Sequence, residues 1–247
     1  ALNANTTAIY NTATGYQSLY TNSTGQYNVA FGGDALRSNT TASNNTGVGS
    51  FALVINTTGT ANTALGKATL YANTTADNNT AVGMNALTAN TTGTRNTAVG
   101  SVALDALTTE SDNTAIGYGT LYNNTTGVEN TANGTLALFS NTTGDKNTAN
   151  GVNSLYSNTT GNNNTAIGHA AMYSNTTGDV NTAVGENALV SNTSGRYNTS
   201  VGVQSQEQNT TGQSNTAIGV AAIDRNVAGH NNAVLGAFAG RYISDNS

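Results

Sequence analysis

The chain has 247 residues, of which 8% are charged, with a formal net charge of −5 and no Pro, Cys or Trp. This excludes a disulfide framework or a thiolate metal site, and charge spread so thinly excludes the clustered basic face that nucleic acid requires. No apolar run approaches the ~20 residues that span a bilayer as a helix.

Asparagine recurs every 17 residues, at Asn11, Asn28, Asn45 and onward through Asn215 to Asn232, with no insertion or deletion across 14 units. Glycine holds the fifth place of every unit, from Gly15 to Gly236. The unit reads N-T-A-V-G-x-x-A-L-x-x-N-T-T-G-x-x. So regular a period outweighs any division by length and predicts one continuous repeat array over residues 1–247.

In chain order, residues 1–10 form a partial coil: Ala1-Leu2 fall in the A-L places of a preceding unit and Asn5-Thr6-Thr7 in its N-T-T places. The chain starts in mid-unit, so the expectation is a piece of a longer fibre. Fourteen coils follow from Asn11. Each opens on a short strand, because Thr and Val are β-formers and the second and fourth places alternate with the third. Glycine at the fifth place is expected to turn a corner where φ is positive or another backbone passes close. A second short strand is expected over x-A-L-x. N-T-T-G is turn chemistry, with Asn tolerating the left-handed region and Gly supplying positive φ. Seventeen residues are too few for a helical repeat of ~33, and Asn, Thr and Gly are poor helix formers. Two strands and two corners per unit make one rung of a β-solenoid. The last coil, from Asn232, is atypical, with Gly240 in the leucine column.

Stacking repeats the columns at about 4.8 Å. The fourth place holds Phe31, Val48, Leu65, Val82, Val99, Ile116, Ile167, Val184, Val201, Ile218 and Leu235. The ninth is almost all leucine and the eighth mostly alanine, and the three columns together are expected to be the core. Charges gather at the sixth, seventh, tenth, eleventh, sixteenth and seventeenth places, which are expected to face water. Such a core is thin against ~1.5 kcal/mol of ordering entropy per residue. Asn133 and Asn150 interrupt the fourth column, and Ser205 and Gln206 replace Ala and Leu. Three chains around a common axis would bury more, so a homotrimer is expected.

The phrase N-T-A-V-G followed by A-L resembles the head repeats of trimeric autotransporter adhesins, whose S-V-A-I-G units build left-handed β-rolls. Thr97-Ala98-Val99-Gly100 stands where those heads have V-A-I-G, with Thr for the first Val, and the adhesin repeats are somewhat shorter. The full unit is also similar to arrays in bacterial and phage tail-fibre-like proteins. The resemblance implies a left-handed, homotrimeric, extracellular fibre on a cell surface or virion, a shaft or head that spaces or mediates attachment to a host glycan or lipopolysaccharide. Alternatives are an ice- or glycan-binding solenoid and a self-assembling extracellular filament.

Aromatic residues occupy the tenth place in four consecutive units, Tyr122, Phe139, Tyr156 and Tyr173, with Tyr20 and Tyr71 elsewhere in the column. They read either as glycan-stacking residues or as a ladder half-buried against a neighbouring subunit. Asn96, Gly100, Asn113, Gly117, Asn164 and Gly168 represent the structural ladder. Asn-x-Thr/Ser sequons at the twelfth place read as glycosylation acceptors or as Asn ladders that satisfy unpaired backbone groups at a corner. Threonine fills the second place in 12 of 14 units, which raises ice binding, but the second place aligns with the fourth, expected to face the core. His169 and His230 lie in different units without a shared carboxylate, and Asp77, Asp145 and Asp179 are in non-adjacent rungs. No enzyme, cofactor, metal, nucleic acid or membrane span is expected in this chain.

Overall fold

The computed structural model describes residues 1–241. The chain forms two compact units, Ala1–Thr126 and the part from Gly127 onward. The first holds seven strands: β1 (Thr12–Thr14), β2 (Val29–Phe31), β3 (Thr46–Val48), β4 (Thr63–Leu65), β5 (Thr80–Val82), β6 (Thr97–Val99) and β7 (Thr114–Ile116). The second holds seven more: β8 (Thr131–Asn133), β9 (Thr148–Asn150), β10 (Thr165–Ile167), β11 (Thr182–Val184), β12 (Thr199–Val201), β13 (Thr216–Ile218) and β14 (Ala233–Leu235).

Within each unit every strand pairs in parallel with the next, exactly one repeat later: Thr97 faces Thr114, and Thr165 faces Thr182. The fold is therefore an all-β parallel solenoid with a 17-residue turn. Its ladder runs both ways from each rung. Thr97 N–H donates to the Asn113 carbonyl at 2.9 Å, while Gly100 N–H donates to the Val82 carbonyl of the preceding rung at 2.7 Å. Among the described residues no helix is long and apolar enough to cross a membrane.

The strand alternates as expected but with the opposite phase. Ala98, Ala115 and Ala166 at the third place are fully buried, whereas the fourth-place side chains point outward. Ile116, Ile167 and Ile218 are each 40% exposed and Phe31 is 58% exposed. The expectation that the valine column belongs to the core is thus overturned. Two physical facts set the phase. The first-place asparagine is buried, and its parity is that of the third place. The interior opposite the strand is already filled by leucine. At Gly47, which replaces the usual alanine, an added Cβ would lie 3.3 Å from Leu36 Cγ. Even a methyl group is a tight contact there, so the place takes small side chains in every rung before the last, where Val234 stands. Since strand side chains alternate with period two, one step of phase moves the whole set to the other side.

The second expected strand is absent. Residues at the seventh and ninth places adopt the left-handed region, as at Val102 (φ 53°), Leu104 (φ 52°), Asn187 (φ 53°) and Leu189 (φ 53°). The reversal at each such residue breaks the period of two, so consecutive residues Ala103 and Leu104 both face inward and are fully buried. Hydrogen bonds between rungs continue through this segment: Val102 N–H donates to Met84 O at 3.0 Å and Leu104 N–H to Thr120 O at 3.1 Å. The stacking that defines the solenoid survives without β geometry.

The N-T-T-G corner also departs from expectation. Its positive φ lies two residues later, at the seventeenth place, as in Tyr27, Arg95, Lys146 and Val180. Glycine at the fifteenth place is explained by proximity instead. A Cβ on Gly144 would collide with the Gly161 carbonyl and with Asn141 Oδ1. The core of a typical rung is therefore one leucine and two alanines, closed by two buried asparagines.

Candidate functional surface

The outward strand residues form one continuous surface within each unit. Thr at the second place stands beside Val, Ile or Leu at the fourth, and each pair repeats at the inter-strand spacing of about 4.8 Å. Past the glycine corner, the sixth place adds exposed apolar residues, among them Met84 and Tyr118 in the first unit and Val152, Val203 and Val220 in the second. No charged residue of the chain occupies the second or fourth place in any of the 14 repeats. An uncharged, partly apolar face of this extent is unusual on an isolated chain. Sequence reasoning missed it because a buried column and an uncharged exposed column look alike. The available signal was tolerance: Asn133 and Asn150 sit in the fourth column, and both are exposed.

Behind this face run two asparagine ladders. At the first place, Asn96 N–H donates to Asn79 Oδ1 at 2.9 Å, Asn113 N–H donates to Asn96 Oδ1 at 3.0 Å, and Asn96 Nδ2 donates to the Glu110 carbonyl at 2.8 Å. Asn164 repeats the pattern in the second unit. It takes Asn147 Oδ1 with its backbone N–H at 3.0 Å and Gly178 O with Nδ2 at 2.8 Å, and its Oδ1 accepts from Asn181 N–H at 3.0 Å. At the twelfth place, Asn158 Nδ2 donates to Asn141 Oδ1 at 2.8 Å and to Gly161 O at 3.0 Å. These amides are fully buried, so in the folded chain the sequon asparagines Asn141 and Asn158 are ladder residues inaccessible from solvent. Gly100, Gly117 and Gly168 have φ of 140°, 133° and 131°, and a Cβ on Gly100 would strike the Gly117 carbonyl. Both reasons for glycine at that corner operate together.

The tenth-place aromatics stand on another side of the rung, flanking the turn after Leu. In the second unit Phe139 and Tyr156 stack at 5.3 Å with planes 8° apart, and Tyr156 and Tyr173 stack at 4.9 Å with planes 3° apart. Tyr122 occupies the same place in the first unit and is half-buried. Parallel stacking uses up ring faces: both faces of Tyr156 are covered by its neighbours. A sugar that packs its C–H face on an aromatic ring has no free face there, which leaves ring edges and phenolic hydroxyls for contact.

A buried hydroxyl residue replaces the eighth-place alanine at Ser18, Thr69, Thr120 and Ser154, and two other rungs depart further from the rule inside. In the rung opened by Asn198, three core places turn polar together: Ser200, Ser205 and Gln206 are all fully buried. Ser200 Oγ donates to Ser205 O at 2.7 Å, Ser205 Oγ to Ala217 O at 3.1 Å and Gln206 Nε2 to Thr199 O at 2.9 Å. Gln206 Oε1 has no partner among the described residues. In the rung opened by Asn96, Leu107 replaces the twelfth-place asparagine and is buried, which leaves Asn90 Oδ1 without the donor that the ladder supplies elsewhere.

The titratable groups serve the stacking of rungs. Asp145 Oδ1 accepts from Val128 N–H at 2.8 Å and Asp179 Oδ1 from Asn162 N–H at 2.8 Å. His230 Nδ1 accepts from Gln213 N–H at 2.9 Å, while His169 stands at the sixth place of another rung. Arg95 and Asp112 form a two-pronged pair, both bonds 2.7 Å long. The Arg95 hydrogen bond holds the Asp112 carboxyl below its ordinary range. Partial burial raises Asp105, a shift that the Thr88 hydroxyl opposes. Among the described residues no cluster of three or more His, Cys, Asp or Glu could hold a metal ion. Comparison with protein-family models, curated proteins and solved structures finds no match for this chain.

Proposed function

We propose that the chain is a segment of an extracellular attachment fibre on a cell surface or virion, in which three copies pack their strand faces around a common axis. The observation that carries this reading is the uncharged strand face with its exposed aliphatic column. A lone chain leaves Ile116, Ile167 and Ile218 partly in water, whereas association buries them at ~25 cal/mol per Å². The ladders make each rung a rigid increment of length, suited to a shaft or head that holds a binding surface away from its anchor. The ligand is a surface polysaccharide, a host glycan or lipopolysaccharide, met at the edges of the tenth-place aromatics. The chain carries no chemistry of its own in this reading.

Light scattering on the purified chain tests the assembly: the expected mass is three times the 24.9 kDa protomer. Replacing Ile167 and Val184 by Lys is expected to yield monomers with unchanged β-sheet circular dichroism. A monomeric wild type overturns the proposal.

A specific observation also favours a second reading. Because the second-place threonines point outward beside the fourth-place aliphatics, the face of each unit offers hydroxyls and methyls at regular spacing, as an ice-ordering surface would. The two readings compete for one face. A monomer that inhibits ice recrystallisation, and loses that activity on Thr165→Lys, decides for ice.

A further inference from the structure

A column of identical rungs leaves an assembly without a reason to choose one alignment over the next. Sliding one chain past another by a single rung places Val against Val again, and strand register is weakly specified wherever the pattern is uniform. The fourth column departs from apolar character at two adjacent rungs of the second unit. Asn133 pairs with Asn150 across β8 and β9, Asn150 pairs with Ile167 across β9 and β10, and both amides are exposed on the strand face. In the first unit the column opens on Thr14, followed by the aromatic Phe31, and is aliphatic from Val48 to Ile116.

We infer that Asn133 and Asn150 fix the axial register between copies of this chain, by meeting the same two residues of each partner in the middle of a mostly aliphatic column. The inference rests on the trimeric reading above and names what that assembly recognises: another copy, aligned rung for rung. The occupant is argued from charge. No charged residue stands at the second or fourth place, so the face meets its own copy without like-charge repulsion. Asn supplies a carbonyl acceptor and two N–H donors, so a ring of identical amides satisfies itself. In a one-rung slip Asn133 of one copy still meets Asn150 of the next, but the other amide of each copy faces isoleucine and buries unpaired donors, which is disfavoured. One polar residue in an apolar seam has the same effect in coiled coils, where it selects register at some cost in stability.

The test uses two full-length chains, one carrying Val184→Cys and the other Val201→Cys, distinguished by mass, refolded together and oxidised. A disulfide needs Cα atoms within ~7 Å, so aligned copies join Cys at like positions, while a one-rung slip joins unlike positions. With Asn133 and Asn150 intact, unlike-position disulfides are expected below about a tenth of the total. With Asn133→Val and Asn150→Val in both chains, that fraction is expected to rise several-fold while the trimeric mass is kept. Placing a single amide one rung beyond the original pair, Ile167→Asn in the Asn133→Val and Asn150→Val background, is expected to restore alignment in part. An unlike-position fraction that does not change on removing both asparagines overturns the inference while leaving the trimer standing. A monomeric wild type overturns both.

Discussion

At the scale of single residues, the backbone asks for conformations that most side chains resist. Val180 holds φ at 58° at the seventeenth place, where Asn44, Asn78, Asn163 and Asn231 hold the same conformation in other rungs. A β-branched residue is the poorest choice for the left-handed region, and Asn among the better ones. Val180→Asn is therefore expected to raise stability by about 1 kcal/mol, read from the denaturation midpoint at unchanged slope. Asp105 sets a pH effect. Burial raises its carboxyl above the ordinary 3.8, so its contribution to stability is fully present below that value and lost as pH rises through the folded-state pKa. Asp105→Asn is expected to be more stable than wild type at neutral pH and to lose that advantage in acid. Melting temperatures measured across this range check the sign.

At the scale of the rung, the element that repeats is a hydrogen-bonded ring as much as a hydrophobic one. Each first-place asparagine bonds both the rung before it and the corner of its own rung, so removing one orphans partners on two sides. The rung opened by Asn198 shows the converse. Its three polar core residues donate to backbone carbonyls, of Ser205, Ala217 and Thr199, yet Gln206 Oε1 stays buried without a partner among the described residues. Restoring the usual residues, Ser205→Ala with Gln206→Leu and Ser200→Ala, is expected to stabilise the chain by about 1–3 kcal/mol, the cost of a buried unsatisfied polar group. Hydrogen exchange should show the gain first in the amides of Thr199–Gln213, because repeat stability is local to a rung and its neighbours. Uniform protection change along the chain would count against this locality.

At the scale of the whole molecule, charge is kept off the second and fourth places of the repeat. The ion pairs stand at other places, Arg95–Asp112 exposed at the seventeenth and Arg196–Asp179 at the sixteenth with Asp179 partly buried, and surface pairs contribute little. Association through the strand face is therefore expected to be insensitive to sodium chloride, since screening acts on charges, and to be strengthened by sulfate, which favours apolar burial. Sedimentation across a salt series distinguishes this from assembly through charged columns, which would weaken steadily as salt rises.

The sequence by itself determined the period, the parallel stacking and the class of fold, because a rigid 17-residue repeat rich in Asn, Thr and Gly has few ways to bury itself. It also located the glycine corners and the leucine and alanine columns, whose chemistry has one sensible place. It did not determine which side of the strand faces in. Thr-Ala-Val alternates whichever way it points, and hydrophobicity alone favours burying Val99 over Ala98. Only the tertiary structure decided that, through the volume already taken by Leu at the ninth place and through left-handed residues at the seventh and ninth places that turn two consecutive side chains inward. The candidate surface was illegible for the same reason: it consists of the very residues that pattern alone assigned to the core.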